Sequence, residues 1–360
     1  MKLYGFTLLK NGIKYDYSFR ESIFSMAAIT EKIYIALGDS EDTTEEALKE
    51  LRNELSSVKG EDFLKIKYTI WDPELRSGGL ILSRETNLAL NFLRSDLKKC
   101  GSINDCWGFY LQADEVIHQD EYMQIIKDIE QANHNGYDAV RFRYLHFWPD
   151  HHNIAINKKW YPSEIRAIRL NTAIESWGDA QSFRFAQKIF NSDAHIFHYG
   201  HVREKDSYLQ KKADILKLYH SDGKLSKYKR REKKLDKQTE TLPFCGLHPK
   251  IMKERILRLG DQWIFPKKDE IHIVGDRSLF SEEFISKINV DKIYFYKSKR
   301  EIKNILKKKS KVIIFSPNWL DRIIYKDRVP TSMRSKLARR WSNEFILTLK
   351  LSQREIGLKD

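Results

Sequence analysis

The sequence has few cysteines, no long apolar run and no secretory signal. Its three cysteines, Cys100, Cys106 and Cys245, are an odd set without metal-ligand spacing, which is typical of reduced thiols and not of a disulfide framework. No run of 18 or more apolar residues occurs, so no membrane-spanning helix is predicted. The first residues, MKLYGFTLLKNG, lack the apolar segment and cleavage site of a signal peptide. We therefore expect a cytoplasmic protein.

Positive charge is what the chain has in excess. Its 64 Lys and Arg against 50 Asp and Glu give a formal net charge of +14, which implies an anionic partner: a nucleotide, a nucleic acid or an acidic membrane. Residues 203–238 are helical in propensity and dense in Lys and Arg, above all in KLSKYKRREKKLDK, residues 224–237. This stretch is either a solvated helix face or a peripheral contact with an acidic membrane. In such a contact each basic residue adds about 1 kcal/mol to the free energy of membrane binding.

Short apolar segments alternate with helical patterns in the first third of the chain. The segments at 3–9, 32–37, 64–70 and 107–111 read as strands, the first and the fourth of them buried, and amphipathic or charged helical stretches separate them. This alternation predicts an α/β fold with a parallel sheet. Residues 139–147 and 164–170 then alternate apolar and basic side chains, which predicts half-exposed strands.

Strand-like runs start again near residue 270, in EIHIVGD, DKIYFYK and SKVIIFSP. We therefore predict three parts: a main domain at 1–202, a basic helical segment and connector at 203–267, and a small C-terminal α/β domain at 268–360. The sequence of the C-terminal domain does not indicate a catalytic or binding function.

Polar residues follow the second, third and fourth strands. They include Asp39 after the second strand and the run Gln112-Ala113-Asp114-Glu115 after the fourth. Ligands of α/β sheets bind at the carboxyl ends of the strands, and carboxylate oxygens suit Mg²⁺ or Mn²⁺ on a phosphate. These residues therefore predict a metal-diphosphate site. The other interpretation is a strand end followed by an acidic helix start, which the helix dipole favours.

In their order and spacing these features resemble the GT-A glycosyltransferases, specifically the family-2-like inverting enzymes, over about the first 260 residues. The resemblance rests on Leu9-Lys10-Asn11 after the first strand, on the turn Gly38-Asp39-Ser40-Glu41-Asp42-Thr43 and on the helix SRETNLAL, which carries Arg84. It rests also on Gln112-Ala113-Asp114-Glu115, which looks like the family's DXD motif with Gln112 in place of the first aspartate.

The resemblance implies a GT-A, Rossmann-like nucleotide-diphospho-sugar transferase with Mn²⁺ or Mg²⁺ as cofactor. Asp39, Arg84, Gln112 and Asp114 would bind the donor, and Asp114 with His198 would hold the metal. Asp179 lies where relatives carry the catalytic carboxylate that takes the acceptor's proton. The implied activity is hexosyl or related transfer to a glycan or glycolipid, as in polysaccharide biosynthesis. The aromatic loop 148–161 would suit such an acceptor.

Each of these residues also has a structural interpretation. Asp39 and Asp42 could cap the next helix, and Arg84 could pair with an acid on its own helix. His198 could be a hydrogen-bonded core residue, and Asp179 could form an Asx turn.

Two rival functions remain. A nucleic-acid-binding protein would use the positive charge and would not need acids at strand ends, so no nucleic-acid partner is expected. A non-catalytic relative would bind nucleotide sugars or glycans without turnover.

Overall fold

The computed structural model describes residues 1–75, 78–101, 103–155, 160–219, 241–244, 247–260, 268–274, 290–296 and 314–315. These residues divide into two compact units. The described residues of the first unit lie within 1–151, 157–240 and 248–262, and those of the second lie within 152–156, 241–247 and 263–360.

A large mixed sheet is the centre of the first unit. In chain order its strands are β1 (Lys2–Leu9), β2 (Ile33–Gly38), β3 (Leu64–Thr69), β4 (Cys106–Tyr110), β5 (Glu115–Ile117), β6 (Ala139–His146), β8 (Ser163–Arg169) and β11 (Ile189–His198). They are arranged in the order β3-β2-β1-β4-β8-β6-β11-β5. The first four are parallel, and their order 3-2-1-4 is that of the first four strands of a Rossmann sheet. The predicted α/β class is confirmed.

The directions of the strands in the other half of the sheet determine which carboxyl ends lie at the same edge. β8 is antiparallel to both β4 and β6, and β11 is parallel to β6, so β6 and β11 run in the same direction as β1 to β4. The carboxyl ends of six strands therefore lie at one edge. The short β5 pairs antiparallel with β11, where Glu115 faces His198 in the register.

Helices cover both faces of this sheet because both faces are apolar. Along β2, Ile33, Ile35 and Leu37 belong to one core cluster, while Tyr34 and Ala36 belong to another. The first cluster includes side chains of α1 (Phe19–Ala27), α2 (Thr44–Lys59) and α4 (Tyr122–His134), and the second includes side chains of α3 (Leu80–Lys99). Each fully buried Ile, Leu or Phe in these clusters stabilises the fold by about 1.5–3 kcal/mol.

The prediction that residues 139–147 and 164–170 form half-exposed strands is wrong. Most side chains of β6 and β8 are buried, including Arg143 and Arg166. The two arginines are buried because each pairs with a carboxylate, Arg143 with Asp193 and Arg166 with Glu115. Apolar–basic alternation is therefore not evidence of exposure where an acid lies opposite.

The described residues of the first unit also form a hairpin and two further α-helices. The hairpin pairs β9 (Glu175–Trp177) with β10 (Ser182–Arg184), and the helices are α5 (Lys205–Tyr219) and α6 (Lys253–Leu259). No helix among the described residues is long and apolar enough to cross a membrane.

The second unit contains two small sheets. β7 (Asn153–Ala155) pairs antiparallel with β12 (Thr241–Pro243), and β13 (Lys268–Val274) lies between β14 (Val290–Tyr296) and β15 (Ile314–Phe315) in a parallel sheet. The predicted limits at 202 and 267 stay predictions. The basic stretch 224–237 and residues 316–360 lie outside the described residues.

Candidate functional site

Four of the predicted site residues lie at the edge formed by the strand carboxyl ends. Asp39 follows β2, Gln112 and Asp114 follow β4, and His198 is the last residue of β11. The loop after β1 contacts both sides of this edge. Lys10 donates a hydrogen bond to Asp39, and the Tyr15 carbonyl accepts one from Arg203, which also donates to Asp114. The edge is where a Rossmann-like sheet binds ligands.

Asp39 is held as a charged, half-exposed carboxylate. Its Oδ1 atom accepts hydrogen bonds from the Lys10 ammonium at 2.8 Å and from the Trp71 backbone N–H at 3.0 Å. Partial burial raises the pKa of Asp39, but these donors outweigh it and lower the pKa overall. Asp42, not Asp39, accepts from the N–H of Thr44 at the start of α2. The capping interpretation therefore holds for Asp42 and not for Asp39.

Arg84 is exposed on α3, next to a buried acid that the sequence reasoning missed. Glu85 is fully buried, with the Thr69 side chain beside its carboxylate. Burial raises the pKa of Glu85, and the charge of Asp39 acts in the same direction. The charges of Arg84 and Lys10 act in the opposite direction and lower it, but burial is the larger effect.

Asp114 lies in a cluster of basic groups. Its Oδ2 atom lies 3.0 Å from the Lys211 ammonium and 3.2 Å from the Arg203 guanidinium, and its Oδ1 atom lies 3.6 Å from His198 Nε2. Burial raises the pKa of Asp114, but Lys211, His198 and Arg203 outweigh it and lower the pKa well below the usual range. Burial and Arg203 lower the pKa of Lys211 to about 8. Asp114 and Lys211 therefore both carry charge at neutral pH.

Gly200 lets the loop after β11 pass close to this cluster. A Cβ atom at this position would lie 2.5 Å from His198 Nε2 and 3.0 Å from Asp114 Oδ2. The backbone N–H of Tyr199 donates to the Asp114 carbonyl at 2.8 Å. The strand end and the loop are thus packed against each other around the carboxylate.

A histidine pair orients the ring of His198. His146 Nε2 lies 2.7 Å from the Tyr161 carbonyl, and the two Nδ1 atoms of His146 and His198 are 2.9 Å apart. A carbonyl only accepts, so His146 donates through Nε2 and, being neutral, accepts through Nδ1 from His198. Burial lowers the pKa of both rings. The other ring nitrogen of His198, Nε2, then faces Asp114 Oδ1 at 3.6 Å.

Glu115 is structural. The guanidinium of Arg166 donates to both of its oxygens at 2.8 and 2.9 Å, and the Tyr144 hydroxyl and the Gln112 N–H donate as well. Arg166 also donates to the Gln181 carbonyl at 2.9 Å. One buried ion pair therefore fixes both the loop after β4 and the turn that follows β9.

Asp179 lies in the turn between β9 and β10, half-buried. Its Oδ1 atom accepts from the Gln181 N–H at 3.3 Å, so the predicted Asx turn is present. The Gln112 amide lies 3.4 Å from the Ala180 carbonyl, which brings the turn beside the loop that carries Asp114. Glu164 accepts from the Gln181 amide in the same place, and burial raises its pKa.

A resident divalent cation fits these residues poorly. His198 Nε2 and Asp114 Oδ1 face each other as two ligand atoms could, but the described residues contain no group of three His, Cys, Asp or Glu that could hold a metal ion. Two cations already lie on the other oxygen of Asp114. Two unit charges 4 Å apart interact by about 4 kcal/mol near a protein surface, and a divalent ion would double that repulsion with each.

No protein-family model and no curated protein matches the sequence. Among solved structures, the S. aureus protein TarS is 13% identical, with 60% of this chain and 39% of that chain covered and a TM-score of 0.34. A TarS 1–349 structure in complex with UDP is 13% identical over 60% of this chain and 64% of that chain, with a TM-score of 0.33. The glycosyltransferase GlyE of Streptococcus pneumoniae is 9% identical over 97% of this chain and 91% of that chain, with a TM-score of 0.29. The matches to TarS span less than two thirds of its length. Likenesses this distant leave the family open.

Proposed function

We propose that the protein is a glycosyltransferase that moves a sugar from a nucleotide-sugar donor to a saccharide or glycolipid acceptor. The observation that carries this proposal is the convergence of Asp39, Gln112, Asp114 and the Asp179 turn at one edge of a Rossmann-like sheet. A charged acid for the nucleoside, charged groups for a diphosphate and a second acid for the acceptor are what such a transfer needs.

The donor would lie along the carboxyl ends of β2, β1 and β4. Asp39 would accept a hydrogen bond from the nucleoside, as the resemblance implies, and its lowered pKa keeps it an acceptor at neutral pH. Arg84 would lie near the nucleotide, and Gln112 would supply an amide where relatives have a carboxylate. The neutral amide suits a cluster that already contains two buried acids, Asp114 and Glu115.

The acceptor would approach from the side of the β9–β10 hairpin. Asp179 would take the proton of the attacking hydroxyl while that oxygen bonds to the anomeric carbon. Direct attack opposite the departing diphosphate inverts the configuration. The contacts of Gln112 with Ala180 and of Arg166 with Gln181 support this arrangement, because they hold the turn beside the donor loop.

A screen of nucleotide sugars by thermal shift, followed by transfer and hydrolysis assays, tests the proposal. A ligand at about 100 times its Kd should stabilise the fold by about 2.7 kcal/mol. We expect one nucleotide class to raise the melting temperature and its sugar derivative to be turned over. Binding without turnover, with a panel of saccharide acceptors present, would instead support a non-catalytic nucleotide-sugar-binding protein.

A further inference from the structure

The positive charges around Asp114 exceed its single negative charge. One carboxylate faces two cations, Lys211 and Arg203, so the buried cluster is positive overall. We infer that Lys211 and Arg203 bind the diphosphate of the donor and stabilise it as it leaves, in the role that a divalent cation has in the enzymes the sequence resembles. This inference rests on the proposed function and names the groups that would meet the leaving diphosphate.

Arg203 is fixed in place. It is 1% exposed, and it donates to the carbonyls of Tyr15 and Gly200 at 2.6 and 2.5 Å. Its guanidinium lies 4.7 Å from the centre of the Tyr17 ring, and its Nε atom has no hydrogen-bond partner among the described residues. The Nε–H is therefore the donor of Arg203 that a phosphate oxygen can accept from, and the fixed positive charge adds to that hydrogen bond.

Lys211 reaches the same carboxylate from α5. Its ammonium lies 4.4 Å from the centre of the Tyr17 ring, on which Arg203 also packs, and 3.4 Å from the Gly200 carbonyl. The side chain is 14% exposed, more than that of Arg203, and a lysine has a flexible stem with three donors. Lys211 can therefore turn from Asp114 to a phosphate oxygen while Arg203 keeps Asp114 paired.

The positions of Lys211, Arg203 and Asp179 match the places where charge develops during sugar transfer. The bond between the anomeric carbon and the diphosphate oxygen breaks, and its electron pair stays on that oxygen. The acceptor oxygen forms the new bond and gives its proton to Asp179. The negative charge that grows on the departing diphosphate then faces two cations in a buried site, where fixed charges stabilise a transition state most strongly. No oxidant, reductant or metal is needed for this balance.

Calorimetric titration of the full chain with inorganic pyrophosphate and with UDP, GDP, ADP, CDP and dTDP tests the inference, in EDTA and in Mn²⁺. We expect binding in EDTA, within about threefold of that in Mn²⁺. Lys211→Met should weaken it at least about tenfold, because a charge-assisted hydrogen bond is lost. Lys205→Met changes an exposed lysine on the same helix and should leave affinity within about twofold.

Asp114→Asn separates the two accounts. If a metal bridged Asp114 and the diphosphate, this variant would lose the Mn²⁺-dependent affinity. On our account it frees two cations, so affinity in EDTA should stay the same or rise. The variant Asp114→Asn/Lys211→Met removes one charge of each sign, so its affinity can be compared with that of Asp114→Asn should Lys211→Met alone fold poorly.

The outcomes are distinguishable. Binding only with Mn²⁺, or equal affinity of the parent and Lys211→Met in EDTA, would overturn the inference and leave the proposed function standing. Absence of binding by every probe in both conditions would overturn the proposed function, and the inference with it.

Discussion

Arg166 and Glu115 form an ion pair in which the guanidinium donates to both carboxylate oxygens and neither side chain is exposed to solvent. The pair connects β8 to the start of β5, Glu115 holds the loop after β4 through the Gln112 N–H, and the Arg166–Gln181 hydrogen bond extends the connection to the Asp179 turn. The positions of both halves of the candidate site therefore depend on one buried contact.

Arg166→Met should strongly destabilise the protein. It leaves the Glu115 carboxylate buried without its partner, which typically costs about 3–5 kcal/mol. Chemical denaturation measures the loss. Arg184→Met is the control, since Arg184 pairs with Glu175 near the surface and should contribute less than about 1 kcal/mol. A loss no larger than that of the control would contradict the role assigned to the pair.

Glu85→Gln should raise the melting temperature at pH 7. The raised pKa means that folded protein holds the Glu85 proton more tightly than unfolded protein, so the parent loses stability as pH rises above the ordinary value of about 4.5. The variant has no such loss, and its advantage should shrink towards pH 4. Melting curves across this range test the sign. Glu46→Gln changes an exposed acid and should show no comparable trend.

Gly200→Ala should damage the site more than the fold. The new methyl group would collide with His198 and press on Asp114, so one of them must move. We expect weaker nucleotide-sugar binding with cooperative melting retained. Gly60→Ala is the comparison, because its Cβ would meet no atom within 4 Å and its cost is limited to the strain of a φ of 101°. Unchanged binding by Gly200→Ala would place the donor away from this cluster.

Asp179→Asn should lower the turnover number by about 10²–10⁴ and leave donor affinity nearly intact, because a general base typically contributes that much. The Asx turn survives, since asparagine also accepts from the Gln181 N–H. Steady-state kinetics with the matched surface variant Asp62→Asn give the comparison. Transfer within a few-fold of the parent would move the base elsewhere, to Glu164 first. Loss of donor binding would instead assign Asp179 to the nucleotide side.

Much of the fold follows from local pattern. The strand predicted at 3–9 is Lys2–Leu9, since a buried parallel strand reads as a short apolar run, and the one predicted at 64–70 is Leu64–Thr69, an edge strand of which only Leu64 is buried. That polar residues collect at one edge was also predictable, because the carboxyl ends of parallel strands lie at the same edge of a sheet.

Contacts between distant parts of the chain were not predictable. Lys211 belongs to a stretch whose composition indicates a solvated face, yet its ammonium reaches Asp114, 97 residues away in sequence. Nor does the alternation in β8 reveal that Arg166 lies opposite Glu115. A basic residue beside a buried acid has no signature in one sequence, because only tertiary pairing separates it from a surface charge.

The central claim is that the edge bearing Asp39 and Asp114 binds a nucleotide sugar. The most direct measurement is calorimetric titration of the nucleotide sugar that scores best in the thermal-shift screen, against the parent and Asp39→Asn. We predict one site per chain in the parent and at least about tenfold weaker binding in Asp39→Asn, whose melting temperature should stay close to that of the parent. Equal affinity of the two proteins, or no binding of any common nucleotide sugar, would contradict the account.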